Sequence, residues 1–423
     1  MCLSEPQAQR GRILCLTSNF PRWKGDSTTP FVLHLAQDLQ ALGWRVDVVA
    51  PHAEGCAVRE TIDGVRVARL RYLWPAALET VCYSGGALIN LRKQPTNYAK
   101  LPALVAAEWL GVVRRLMTHR YDVLHTHWLL PQGFVGAQAA RMLRVPHVAT
   151  AHGGDVFGLQ RSAMTWFKRR ALRGADAVTV NSSATERAVL DITGDIPRLE
   201  RIPMGVDTGA AADPAVAAKL RRAHRRGGGP LLAFLGRLVD EKGVGDLIRA
   251  VGLLVPKLPD VTCVLLGEGQ DRAAAEKLTA ELGLSDRVTF VGWVPSEEVP
   301  NHLAAADALV APSRHATSGW TEAQGLSIIE AMAAGTPVIA SRVGGTVDTV
   351  VDGETGILVP ERSPEAICAA VGRLVGDPVA AQTMASRAAA VAQRRFSRRS
   401  SAVAFTDLFE RLLAAKKPGH ARL

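Results

Sequence analysis

Short apolar runs alternate with helix-patterned segments along almost all of this 423-residue chain, and that order limits its fold more than any other feature. Strands are expected at 12–18, 45–50, 65–69, 123–125, 147–150, 177–180 and 199–202, with helical patterns between them, such as 31–42 and 104–118. Parallel strands need a crossover of a dozen or more residues, usually a helix, so this order predicts α/β domains with mostly parallel sheets. The rhythm breaks at 205–228, where an Ala- and Arg-rich helical stretch precedes Gly227-Gly228-Gly229-Pro230. Strands resume at 231–235, 261–266, 287–290, 308–311, 338–340 and 356–359. The expected layout is two Rossmann-like doubly wound domains, 11–205 and 231–395, joined by a linker at 206–230. A C-terminal helix at 396–418 is expected to pack back on the first domain, since Phe405, Leu408, Phe409 and Leu412 share one face. Two such domains imply a cleft, and open α/β sheets bind ligands beyond the carboxyl ends of their strands.

Composition narrows the function classes. A 48% hydrophobic content with mean hydropathy +0.08 fits a globular chain. Aromatic residues are only 5%, too few for base-stacking platforms, so no nucleic-acid partner is expected. The net charge of +10 suits an anionic partner or a solvated, arginine-rich surface. Six scattered cysteines, none in a Cys-x-x-Cys pair, make neither a zinc pattern nor a disulfide framework. The N-terminus does not read as a signal peptide, and the longest apolar stretch, 101–113, is broken by Glu108. A cytoplasmic location is expected, extended to the inner face of the plasma membrane if the surface binds lipid.

Chemistry concentrates in residues 322–341. Glu322 and Glu330 stand eight residues apart around Gly325, at the start of a short helix that Gly335 ends before a buried strand. Carboxylates accept hydrogen bonds from sugar hydroxyls, and a helix N-terminus attracts phosphate. Together these describe a nucleotide-sugar site, or else an ordinary helix–strand unit with solvated glutamates. Other strand ends carry compatible groups. Arg237 and Lys242 follow the 231–235 strand, five residues apart, and can converge on one diphosphate. Gly292-Trp293-Val294 forms a turn whose backbone can meet a base. In the first half, His152 precedes Gly153-Gly154-Asp155, and His127 opens the run to Gly133.

These motifs, in this order, resemble glycosyltransferase family 4, retaining enzymes of the GT-B fold. The likeness spans roughly residues 11–415 and is carried by Gly236-Arg237, Lys242-Gly243, the Glu322 and Glu330 pair, Val343-Gly344-Gly345, the 352–356 turn and the 202–207 run. It implies transfer of a sugar from a nucleotide-sugar. Arg237 and Lys242 would bind the diphosphate, Glu322 the sugar hydroxyls, and Glu330 the ribose. The backbone of Gly325, Leu326 and Ser327 would lie beside sugar and phosphate, and Gly292, Trp293 and Val294 would meet the base. His152 would approach the transferred sugar, Gly25 would close on the diphosphate, and His127 and Asp155 would lie on the acceptor side. Three departures stand out. Lys24-Gly25-Asp26-Ser27 replaces the usual Gly-Gly, the loop 314–321 is expanded, and Asp348 occupies a position where glutamate is common. The 127–133 and 152–157 runs resemble the subgroup that builds exopolysaccharides of the colanic-acid type.

No Asp-x-Asp motif is present and no cofactor or metal is expected, so Arg237, Lys242 and a helix N-terminus would meet the leaving-group charge. No enzymic nucleophile is evident, which points to front-face substitution. A UDP-sugar donor and a saccharide or lipid-diphosphate-linked acceptor are expected. On the 162–174 helix, Trp166, Arg169, Arg170 and Arg173 lie opposite Met164, Phe167 and Ala171, a face suited to an anionic membrane surface or to plain solvation. Alternatives are another GT-B enzyme, such as a nucleotide-sugar epimerase or sugar phosphorylase, and a non-catalytic nucleotide-sugar-binding protein. Neither half carries a Gly-x-Gly-x-x-Gly fingerprint, which argues against a dinucleotide oxidoreductase.

Overall fold

The computed structural model describes residues 10–26, 30–83, 86–159, 161–316 and 319–416. Ser27, Thr317, Ser318 and the last two residues of the expected 396–418 helix lie outside them. The chain forms two α/β units. One comprises residues up to 181, 185–205 and from 398 onward, and the other comprises 182–184 and 206–397.

The first unit is built on eight strands: β1 (Gly11–Leu16), β2 (Trp44–Pro51), β3 (Arg59–Ile62), β4 (Val65–Leu70), β5 (Val123–His127), β6 (His147–Ala151), β7 (Ala177–Val180) and β8 (Leu199–Arg201). Their order is β3-β4-β2-β1-β5-β6-β7-β8, and all neighbours are parallel except β3 and β4. The β3 strand was not expected. It is polar and short, and it pairs with β4 across Asp63-Gly64, both with positive φ (45° and 86°), a tight-hairpin signature. The order reverses at β1/β5, so the loops after these strands open at the sheet's switch point.

The second unit has six parallel strands: β9 (Leu231–Leu235), β10 (Thr262–Leu266), β11 (Val288–Gly292), β12 (Ala308–Ala311), β13 (Val338–Ser341) and β14 (Ile357–Val359). The order β11-β10-β9-β12-β13-β14 puts the switch point at β9/β12. Alternate residues of β9 bury on opposite faces. Leu232 and Phe234 join a core with the helix Val244–Leu254, while Leu231 and Ala233 join one with the helix Leu326–Ala333. A sheet covered on both faces needs such continuously apolar strands.

The stretch expected as a linker is folded into the second unit. Pro214–His224 is a helix capped by Asp213, whose side chain accepts from the N–H groups of Ala215 and Val216. Arg221 donates to Ala305 O at 2.8 Å and pairs with Asp307. The sequence showed the alanines and arginines but not that these arginines had carbonyl and carboxylate partners. Besides the short 182–184 excursion, the chain passes between units at 205/206 and 397/398, where Val206 N–H donates to Phe396 O at 2.9 Å and Val206 bridges Ser397.

The C-terminal helix is Arg398–Ala415, and it belongs to the first unit. Phe405, Leu408, Phe409 and Leu412 are buried. Arg398 makes a two-bond pair with Asp38 at 2.9 and 2.8 Å, and Trp44 Nε1 donates to Thr406 at 3.1 Å. The rings of Phe405 and Phe409 back onto His125 at 5.1 and 5.5 Å.

Candidate active site

The second unit gathers its candidate groups at the β9/β12 switch point. Past β9 the chain forms a single turn, Asp240–Lys242, closed by Gly243. Gly243 has φ 67°, and a Cβ there would sit 1.9 Å from the Pro312 carbonyl oxygen, so only glycine lets the turn lie against the end of β12. Arg314 then ties the two loops together. Its N–H donates to Glu241 O at 2.9 Å, its Nε to Asp240 O at 3.0 Å and its Nη1 to Asp246 Oδ2 at 3.2 Å, and it pairs with the Asp240 carboxylate.

Lys242 is held by this clamp and pairs with Glu322. Ser313 Oγ donates to Glu322 Oε2 and Gly325 N–H to Oε1, both at 3.2 Å. Burial opposes the charged Glu322, but the Lys242 ammonium with these two donors outweighs it and holds the carboxyl below its ordinary range. The other side of Glu322 is set by Gly344, at φ 57°, where a Cβ would lie 2.0 Å from the Glu322 carbonyl oxygen, and by Gly345 N–H donating to that oxygen at 2.8 Å. Glu322 therefore precedes the helix rather than starting it. The helix Leu326–Ala333 begins after Gly325, with Leu326 and Ser327 partly exposed in its first turn. Glu330 is on that helix and partly buried. Burial pushes its carboxyl up to about 7, with Lys242 pulling the other way.

Arg237 is exposed, with only a 3.5 Å pair to Glu241. Gly292 ends β11 and its carbonyl accepts from Gly267 N–H at 2.7 Å; Trp293 is exposed and Val294 partly so. In the expanded loop, Trp320 is half-buried with its ring 5.9 Å from Lys242 Nζ. Ser313 and Arg314 were not expected as functional. Their position just past a strand at the switch point was the available signal.

The first unit assembles histidines at its own strand ends. His127 closes β5 and His152 follows β6. His127 Nδ1 and His152 Nε2 are 3.0 Å apart, one donating and the other accepting, so the accepting ring is neutral. The His125 ring lies 4.3 Å from that of His127, tilted by 42°, and Phe31 and Trp128 flank His152 at 5.1 and 4.9 Å. Burial lowers His125 and His152 to about 3, His147 to about 4, and His127 well below its usual value. Asp155 was expected on the acceptor side. Its carboxylate accepts the backbone N–H of His152 at 3.0 Å and of Leu129 at 2.8 Å, clasping the two histidine loops. Lys168, on the helix whose exposed face carries Trp166 and the arginines, is buried and donates to the carbonyls of Val156 and Gly158. Gly25 lies in an exposed turn, φ 84°, stiffened by Arg22 donating to Asp26 at 2.8 Å.

Among the described residues no cluster of three or more His, Cys, Asp or Glu could hold a metal ion, and no helix is long and apolar enough to cross a membrane. On the helix Ser162–Arg173, Trp166, Arg169, Arg170 and Arg173 are exposed.

The comparisons with known proteins agree on the family. Residues 217–391 match the model "Glycosyl transferases group 1" and residues 28–205 the model "Glycosyl transferase 4-like domain". A GDP-mannose-dependent alpha-(1-6)-phosphatidylinositol monomannoside mannosyltransferase of Mycobacterium tuberculosis is 30% identical over 86% of this chain and 89% of that protein. A D-inositol 3-phosphate glycosyltransferase of Corynebacterium diphtheriae is 34% identical over 71% and 74%. Sucrose-phosphate synthase from Thermosynechococcus elongatus superposes with TM-score 0.77 at 27% identity, covering 96% of this chain and all of that one. The chain is a GT-B glycosyltransferase and belongs to glycosyltransferase family 4.

Proposed function

We propose that this glycosyltransferase moves a hexosyl group from a nucleoside-diphosphate sugar to a saccharide or lipid-diphosphate-linked acceptor, with retention at the anomeric carbon and without a metal. The observation that carries the reading is the Lys242–Glu322 pair at the β9/β12 switch point. Without ligand, the two groups neutralise each other. A bound donor offers each a new partner: the diphosphate takes Lys242, and sugar hydroxyls donate to Glu322. Arg237 is exposed and loosely paired, so it can turn to the diphosphate at little cost. The N–H groups of Leu326 and Ser327 add the helix N-terminus beside the leaving phosphate. Glu330 serves the ribose, and the 292–294 turn the base.

In the transfer step, the bond from the anomeric carbon to the diphosphate oxygen breaks. The acceptor oxygen bonds to that carbon on the same face, and its proton passes to the departing phosphate. The His127–His152 pair, uncharged, serves the sugar and acceptor as a hydrogen-bonding surface, and Gly25 the diphosphate. Uridine is the first reading of the donor nucleoside. Guanosine is the second reading, supported by the GDP-mannose named in the mycobacterial relative. The product belongs to cell-surface polysaccharide assembly, and the exposed Trp166 and arginine face supports docking on the cytoplasmic face of an anionic membrane.

A thermal-shift screen of UDP- and GDP-sugars identifies the donor, since a ligand raises apparent stability by mass action. The anomeric configuration of the product, read by NMR, then tests retention. An inverted product would overturn the front-face route. Equal sedimentation with neutral and anionic liposomes would remove the membrane reading.

A further inference from the structure

The helix Leu101–Thr118 carries a carboxyl on its inward side. Glu108 and its partner Gln132 are both fully buried. Gln132 Nε2 donates to Glu108 Oε1 at 2.8 Å. The other two polar atoms of the pair, Glu108 Oε2 and Gln132 Oε1, are also buried and have no hydrogen-bond partner. Both are oxygens, so with an ionised carboxylate each is an acceptor with no donor, a costly state in an apolar interior. One proton held between the two oxygens would satisfy both. A protonated Oε2 donates to Gln132 Oε1 and closes a two-bond acid–amide ring.

The surroundings favour that proton. Burial pushes the Glu108 carboxyl up to about 8, and only the Gln132 bond works against it. The groups that feel its charge are the Cys82 thiol and the Tyr72 phenol, each pushed up by burial first and so uncharged at neutral pH. Charges on the elements packed against this helix have other partners or are exposed. On β2, Asp47 pairs with Arg12 and with Arg66 of β4, while Arg45 is exposed. Arg69 of β4 pairs with Glu60, and Lys100, just before the helix, donates to Thr80. Glu79, in the 71–83 segment, pairs with His52, and Arg141 of the helix Phe134–Leu143 is exposed. On the helix itself Arg114 is exposed and Arg115, partly exposed, acts on the Tyr121 hydroxyl. None of them faces Glu108 with a compensating charge.

Gln132 lies in Leu129–Gly133, the segment that follows His127 and Trp128. Asp155 holds that segment at its first residue, through Leu129 N–H, and Glu108 holds it near its last. We propose that Glu108 is a neutral carboxylic acid that pins this loop through a ring with Gln132, and that it is a positioning residue for sugar transfer. The link to transfer rests on the function proposed above; the neutral ring does not.

The test is Glu108→Gln, which keeps both hydrogen bonds as an amide–amide ring but cannot ionise. A folded-state pKa above the unfolded value means that Glu108 contributes stability in full below about 4.5 and loses it as pH rises to about 8. The melting temperature of the wild type relative to E108Q should therefore fall by roughly 3 °C or more between those limits and level off above them. The kcat/KM for transfer should drop about tenfold between pH 7 and 9 beyond any drop in E108Q, as the protonated fraction falls. Parallel melting curves would overturn the neutral acid, as would an E108Q chain that cannot fold, because the amide can form the same ring. Divergent melting curves with parallel pH–rate profiles would overturn the positioning role alone. The melting arm needs no substrate, so failure of the transferase reading leaves it intact.

Discussion

Lys242 and Glu322 hold each other across the two strand ends that flank the switch point of the second sheet. Their side chains are only 18% and 9% exposed, so the pair is largely shielded from solvent. Removing the cation by Lys242→Met leaves a buried carboxylate with a hydroxyl and one N–H. The expected cost is on the order of 2 kcal/mol, below the 3–5 kcal/mol of a fully buried pair because Lys242 keeps some solvent. Denaturant unfolding measures it. No loss of stability would mean that the pair is not formed in solution.

Arg237→Ala should behave differently. The side chain is exposed and only weakly paired, so folding stability should be unchanged. Turnover should fall by about 2–4 kcal/mol of transition-state stabilisation, the usual cost of removing one charged donor from a developing oxyanion. Steady-state kinetics beside a melting curve separates the two. Turnover within threefold of wild type would remove Arg237 from the leaving-group site.

Glu330 gives the donor site a pH dependence. Burial pushes its carboxyl up to about 7, and the ionised form accepts a ribose hydroxyl on each oxygen more strongly than the acid can. Nucleotide affinity should rise as pH increases through 7 and flatten above it, and Glu330→Gln should be flat throughout. Titration calorimetry at several pH values gives the curve. A wild-type profile as flat as that of the variant would contradict the ribose role.

Asp155 accepts backbone N–H groups from both histidine loops, one on each oxygen. Asparagine can accept with only one oxygen, so Asp155→Asn should leave one N–H unpaired, at about 1–3 kcal/mol. It should also lower kcat more than it raises KM for the donor, because it loosens His152 without touching the donor groups of the second unit. A pure KM effect would mean that Asp155 contacts substrate, as the sequence first implied.

The β-framework was legible in the sequence, because buried parallel strands are continuous apolar runs and every expected strand falls within two residues of an observed one. The hairpin strand β3 was missed, although Asp63-Gly64 marks its turn. The 206–230 stretch, which holds the helix Pro214–His224, reads as a linker because composition does not show that Arg221 has partners at 305 and 307. The strand-end positions of the candidate residues were readable, but their pairings were not. The sequence offered Glu322 and Lys242 as separate ligands, whereas the structure joins them and supports both from Arg314, Ser313 and Gly344. Glu108 looked like a polar interruption of an apolar helix, and only burial shows it as a carboxyl without a counter-charge.

Binding of a nucleoside diphosphate tests the donor site most directly. Calorimetric titration of UDP and of GDP into the wild type, Lys242→Met and Arg237→Ala isolates the diphosphate contacts from any acceptor. One nucleotide should bind the wild type, and each variant should weaken it at least about tenfold, the loss of one charge-assisted contact. Equal affinity across the three proteins would place the diphosphate away from Lys242 and Arg237 and contradict the account.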